Sequence, residues 1–121
     1  MTTILVVDDS RVMRQIVTRA LRQAGYDHVD IVEAEDGLDG MSKVVQCEPD
    51  VVLSDWNMPQ MSGLEFLQAL RSRGDGRPFG FVTSESSEPM REAATQAGAS
   101  FLIGKPFSPE DVQAALDPVL S

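Results

Sequence analysis

The sequence predicts an α/β domain built on a doubly wound parallel sheet of five strands and five helices. Three observations predict it. Short apolar runs rich in β-branched and aromatic residues recur from end to end. Amphipathic stretches with apolar spacings of three and four fall between them, and no long polar linker, low-complexity tract or internal repeat breaks the alternation. Strict strand–helix alternation calls for parallel neighbours, because parallel strands are joined through a crossover, usually a helix. Helices then cover both faces of the sheet.

The strand runs are Thr3 to Val7, Val29 to Ala34, Val51 to Ser54, Phe79 to Thr83 and Phe101 to Gly104, each too short for a helix. Between the first two lie Val12, Met13, Ile16, Val17, Ala20, Leu21 and Ala24, a spacing that assigns all of these side chains to one helical stripe. Ser10 can cap this helix and Gly25 can end it. The second helix carries Leu38, Met41, Val44 and Val45, and the third Leu64, Leu67 and Leu70. The fourth carries Met90, Ala93, Ala94 and Ala97, and the fifth Val112, Ala115, Leu116 and Val119. Ser62 and Glu65 have the spacing of a capping box, and Ser108 before Pro109 places a capping residue ahead of a proline at the first helical position.

A chain of 121 residues is long enough for one self-sufficient core, so residues 1–121 read as one domain. Hydrophobic residues at 42% and charged residues at 24% are ordinary for a globular protein. No apolar run approaches the roughly 18 residues of a membrane span, and the amino terminus MTTILVVDDS lacks a basic region ahead of its apolar stretch. The expected location is the cytoplasm. Cys47, the single cysteine, has no internal disulfide partner and no second cysteine at redox-motif spacing. The formal charge of −9 opposes binding to nucleic acid or anionic lipid, so neither is an expected partner.

In open parallel sheets ligands bind beyond the carboxyl ends of the strands. There the first strand runs into Asp8 and Asp9, the third into Asp55, the fourth ends at Thr83, and the fifth is followed by Lys105. Each has an ordinary explanation alone. Asp8 or Asp9 could cap a helix, Asp55 could open a turn toward Asn57 and Pro59, Thr83 could end a strand, and Lys105 could be solvated. Packing does not require their joint placement. Three carboxylates within about 5 Å repel by a few kcal/mol per pair at an effective dielectric near 20, which calls for a compensating cation. Mg²⁺ fits: it takes oxygen ligands, usually one or two of them carboxylates, and keeps waters that phosphate oxygens can replace. A carboxylate beside it can act as nucleophile toward phosphorus, with Lys105 and Thr83 contacting the phosphoryl oxygens.

The segments ILVVDDS, VEAEDG, VVLSDWNMPQMSGLE, VTSE, AGAS and GKPF together resemble the response-regulator receiver domains of two-component signalling, and among them the CheY-like receivers. The resemblance covers essentially the whole chain. It implies a flavodoxin-like fold with strand order 2-1-3-4-5, the order the doubly wound CheY topology exemplifies. It implies that Asp55 accepts a phosphoryl group from a sensor histidine kinase, or from a small acyl or amide phosphate. It further implies Asp9 as a direct Mg²⁺ ligand, Asp8 as a ligand through water, Asp55 itself, and Asn57 through its backbone carbonyl. Thr83 matches the hydroxyl that turns toward the phosphoryl group, Lys105 the lysine that pairs with it, and Lys105–Pro106 the family's cis peptide.

A downstream protein is expected at the face of the fourth helix, fifth strand and fifth helix, read through Leu102 and its surroundings: drawing the Thr83 hydroxyl toward a phosphoryl group pulls on the loop to the helix around Met90, and Leu102 sits on the adjacent strand with the size to fill or vacate the space behind. Chemotaxis is among the expected outputs. One position departs from the pattern. Leu102 stands three residues before the lysine, where such receivers usually carry Tyr or Phe, with Phe101 beside it. Aspartyl phosphatases carry a second Asp two residues after the nucleophile, and here that residue is Asn57, which cannot relay a proton. The chain is therefore expected to be a phosphoacceptor that dephosphorylates slowly rather than an enzyme. Two alternatives stay open: a phosphorylation-independent pseudo-receiver acting as a docking module, and a receiver fragment of a larger regulator. His28, before the second strand, reads as a surface residue.

Overall fold

The computed structural model describes residues 2–120, and its elements follow the alternation read from the sequence. They are β1 (Thr3–Val7), α1 (Arg11–Gln23), β2 (Asp30–Ala34), α2 (Gly37–Cys47), β3 (Val51–Ser54), α3 (Gly63–Ser72), β4 (Phe79–Thr83), α4 (Glu88–Ala97), β5 (Phe101–Gly104) and α5 (Pro109–Leu120). The sheet is parallel throughout, in the order β2-β1-β3-β4-β5. The second strand starts one residue later than expected, at Asp30, whose N–H is held by the Thr2 carbonyl; Val29 is nonetheless buried.

Both faces of the sheet are covered, which is why its inner strands are apolar at successive positions rather than alternating with polar residues. Alternate side chains serve opposite layers. Ile4, Val6, Val51, Leu53 and Val82 pack with Val17, Ala20 and Leu21 of α1 and Val112 and Leu116 of α5. Leu5, Val7, Val52, Phe79 and Phe81 pack with Val44 of α2, Phe66, Leu67 and Leu70 of α3, and Ala94 of α4. Phe66, Phe79 and Phe81 meet edge to face, with ring centroids 5.3 Å apart in each successive pair.

The caps formed as read. The Met13 N–H donates to Ser10 Oγ, Ser62 and Glu65 make a reciprocal capping box, and Ser108 and Asp111 exchange the equivalent pair of bonds ahead of α5. Gly25 follows α1 with φ +104°, a conformation that favours glycine.

The single apolar stripes assigned to α1 and α2 need correction. Val12 is 64% exposed, Ile16 42%, Leu38 52% and Val45 62%. In α1 the buried set is Val17, Ala20, Leu21 and Ala24, a proper stripe at spacings of three, four and seven. Val12 lies about 140° around the helix from Val17, and Ile16 about 100° from it, at 100° per residue. In α2 the buried residues are Gly37, Gly40 and Val44, and Leu38 and Val45 lie outside the part of the helix surface that the sheet and α3 cover.

Candidate functional site

The hydrogen-bond ladder of the sheet runs one residue beyond the strands, and this places the chemistry. The Asp8 N–H donates to the Ala34 carbonyl at 3.1 Å, the Asp55 N–H to Val7 at 2.9 Å, and the Lys105 N–H to Thr83 at 2.8 Å. Three side chains distant in sequence are thereby fixed at the same edge by main-chain bonds. The following peptide, Lys105–Pro106, is cis, as the resemblance implied.

One carboxylate oxygen each from Asp8, Asp9 and Asp55 lies within 4.8 Å of the others. Asp8 is buried, Asp55 partly buried and Asp9 exposed, so the cluster opens to solvent on the Asp9 side. Lys105 Nζ reaches between them, 3.3 Å from Asp8 Oδ2 and 3.7 Å from Asp55 Oδ1. Main-chain donors orient the two inner carboxylates: Ser10 N–H to Asp8 Oδ1 at 2.9 Å, and Trp56 N–H to Asp55 Oδ1 at 2.8 Å.

Burial pushes the Asp55 carboxyl above the usual carboxylate range. Lys105 pulls it back, the neighbouring charge of Asp8 pushes it up again, the Trp56 N–H lowers it and Asp9 raises it further. The acidic cluster thus carries more negative charge than Lys105 offsets. Like charges at this spacing cost on the order of 3 kcal/mol per pair at an effective dielectric of 20. The donor set, all hard oxygen with one exposed member, suits a hard divalent cation that retains water.

Thr83 is fully buried, and its Oγ1 accepts the Glu85 N–H at 3.3 Å. Its strand-end reading is therefore also correct, since the hydroxyl closes the first turn of the β4–α4 loop. The Asn57 side chain is exposed in the β3–α3 loop, two residues past Asp55. Leu102 is half-buried against the layer formed by α2, α3 and α4.

Several contributors carried no sequence signal. The Ser54 hydroxyl donates to the Asp55 carbonyl at 2.8 Å. The Trp56 ring packs on Phe81, with centroids 4.6 Å apart and the planes tilted by 41°. A Cβ on Gly63 would fall 2.0 Å from the Asp55 carbonyl oxygen, so α3 can start this close to the site only with glycine. Arg14, one turn into α1, donates from Nη1 to the Asp8 carbonyl at 2.6 Å and from Nε to Glu33 at 2.8 Å. Apart from the Ser54–Asp55 bond between neighbours, each brings together residues six or more positions apart, and residue spacing does not encode it.

A family model described as the response regulator receiver domain matches residues 4–117. The chemotaxis protein CheY1 of Helicobacter pylori is 37% identical over 122 aligned residues, spanning 97% of this chain and 95% of that protein. A CheY homolog of Campylobacter jejuni is 37% identical over 120 residues, spanning 97% and 91%. Among solved structures, the Vibrio cholerae chemotaxis protein CheY4 superimposes with a TM-score of 0.87 at 35% identity, covering 99% of each chain. A LuxR-family DNA-binding response regulator from Staphylococcus aureus also gives 0.87, at 25% identity and 98% coverage of each. On sequence, strand order and the acidic edge of its sheet alike, the chain belongs to the response regulator receiver family, as a CheY-like receiver domain.

Proposed function

We propose that this receiver takes a phosphoryl group onto Asp55 from the phosphohistidine of a sensor kinase, with Mg²⁺ held at the acidic cluster. The observation that carries this reading is the meeting of Asp8, Asp9 and Asp55 within 4.8 Å, with Lys105 Nζ bridging Asp8 and Asp55. Asp9 and Asp55 would hold the ion directly, Asp8 through water and Asn57 through its backbone carbonyl. When bound, the ion neutralises the cluster and screens the charge on the transferring phosphoryl group.

Asp55 Oδ attacks phosphorus as the P–N bond to the donor imidazole breaks, the bonding pair passing to the imidazole nitrogen. Asp55 is suited to this because its carboxylate is desolvated and held by the Trp56 N–H. Lys105 stands ready to pair with a phosphoryl oxygen once Asp55 carries the phosphoryl group as an acyl phosphate and is no longer its ionic partner. The Thr83 hydroxyl, already within the same edge, can supply a second donor by leaving its turn with Glu85. With Asn57 in place of a second acid, no side chain at that position can deprotonate water, so hydrolysis of the acyl phosphate is slow and the protein is a switch rather than an enzyme. The downstream partner reads the α4–β5–α5 face, and chemotaxis is the output the named relatives suggest.

Acetyl phosphate with Mg²⁺ should add a single phosphoryl group, and intact mass should show the addition abolished in Asp55→Asn. Equal labelling of that variant, or of the parent in excess EDTA, would remove the proposal.

A further inference from the structure

The contacts of Arg14 form a closed circuit around the start of the acidic turn. Nη1 holds the Asp8 carbonyl at 2.6 Å, and Nε holds Glu33 Oε1 at 2.8 Å. Glu33 immediately precedes Ala34, whose carbonyl takes the Asp8 N–H at 3.1 Å. Both polar ends of Asp8's main chain are thus tied to one strand, β2, one of them directly and the other through the guanidinium. The Arg14 side chain is only 14% exposed, although α1 is otherwise rich in solvated arginine.

The bond to a carbonyl, rather than to a carboxylate of the cluster, matters chemically. It fixes the peptide plane joining Asp8 to Asp9 while leaving every carboxylate oxygen of Asp8, Asp9 and Asp55 free of the guanidinium. Asp9 is exposed and has no side-chain hydrogen bond of its own among the described residues, so the peptide plane behind it decides where its carboxylate points. Two contacts at fixed angles from one planar group are available to arginine and not to lysine, which is a single point charge on a flexible stem.

We infer that Arg14 is a positioning residue for the cation site, clamping the Asp8–Asp9 peptide so that Asp9 is preset to ligate. The inference rests on the reading of the cluster as an Mg²⁺ site. Its consequence runs against simple electrostatics. Loss of a positive charge beside an acidic cluster should tighten cation binding, whereas loss of a clamp should weaken it.

The test is Mg²⁺ titration of the whole chain, followed by calorimetry and by emission of Trp56, the single tryptophan, whose main-chain N–H donates to Asp55 Oδ1. Arg14→Gln and Arg14→Lys should each weaken Mg²⁺ binding by roughly ten- to a hundredfold, the range for partners that orient metal ligands. Glu33→Gln, at a half-exposed position that folding tolerates, should weaken it by a smaller factor. Arg22→Gln is the control: Arg22 holds the carbonyls of Tyr26, Asp27 and Val29 at the far end of α1, and its loss should leave Mg²⁺ affinity unchanged. Unchanged or tighter binding in Arg14→Gln, or full affinity in Arg14→Lys, overturns the positioning role while leaving the phosphoacceptor reading intact. A parent protein that binds no Mg²⁺ overturns both.

Discussion

At the scale of single residues, Asp55 shows how a site is made at the expense of the fold. Its carboxyl sits above the ordinary range chiefly because it is buried, with Asp8 and Asp9 adding to the effect. Below about pH 4 it is protonated in both the folded and the unfolded chain and costs nothing. As pH rises past that value the unfolded chain ionises first, so stability is lost until the folded pKa is passed, and above it the full penalty remains. Asp55→Asn should therefore raise the melting temperature of the metal-free protein at neutral pH, with the gain vanishing toward pH 4. Thermal melts across that range check it, and a gain that is constant with pH would contradict the assigned cause. If the cluster is the proposed Mg²⁺ site, Mg²⁺ should raise the parent's melting temperature, since only the folded chain assembles the cluster, and Asp9→Ala should blunt that response.

Among elements, β4 and β5 are fitted to each other by an unequal pair. Gly80 lies opposite Phe101 in the parallel register, and a Cβ on Gly80 would come within 1.9 Å of the Phe101 ring. The ring occupies the space a side chain on β4 would need and packs on the α1–α5 layer, while its neighbour Leu102 faces the other layer. The aromatic next to the departure at Leu102 is therefore committed to the opposite side of the sheet and does not substitute for a missing ring on the α4 side. Gly80→Ala should cost about 1–3 kcal/mol by overpacking. In the Phe101→Ala background the same change should be nearly neutral, and a double-mutant cycle by denaturant unfolding measures the coupling. Additive effects would mean that the two residues do not share this space.

For the whole molecule, the helices are held unequally. Phe66, Leu67 and Leu70 anchor α3, and Val112 and Leu116 anchor α5, whereas Ala94 is the one buried residue of α4. Ser87, the N-cap of α4, makes no side-chain capping bond, and the loop ahead of it is tied back through the Thr83 hydroxyl. Drawing that hydroxyl to a phosphoryl group releases the tie on the most weakly anchored helix. The proposed phosphorylation would then act as a population shift of this segment, which needs a differential of a few kcal/mol to be felt by a partner. Hydrogen exchange, with and without a beryllium–fluoride phosphoryl mimic, should change from Thr83 through Lys105. A change confined to the surroundings of Asp8, Asp9 and Asp55 would rule out the α4–β5–α5 face as the output surface and with it the expectation that a partner reads that face through Leu102.

Element order and type were legible in the chain itself. Strands buried on both faces must be apolar at successive positions, helices between them must repeat at three and four, and the Ser10, Ser62 and Ser108 caps are local bonds that spacing alone specifies. The shared placement of Asp8, Asp9, Asp55, Thr83 and Lys105 was legible for the same reason, since in a parallel sheet every strand delivers its carboxyl end to one edge. The strand order came from resemblance, because periodicity does not say which strands are neighbours. Only the tertiary structure decided how much of each apolar stripe is covered, leaving Val12, Ile16, Leu38 and Val45 in solvent. It alone decided that Gly63 must yield to the Asp55 carbonyl, that Gly80 makes room for Phe101, and that Arg14 clasps Asp8 through Glu33. The physical reason is range: caps and periodicities are set by neighbours a few residues apart, whereas coverage, close approach and a guanidinium's choice of partners depend on chain that arrives from elsewhere in the fold.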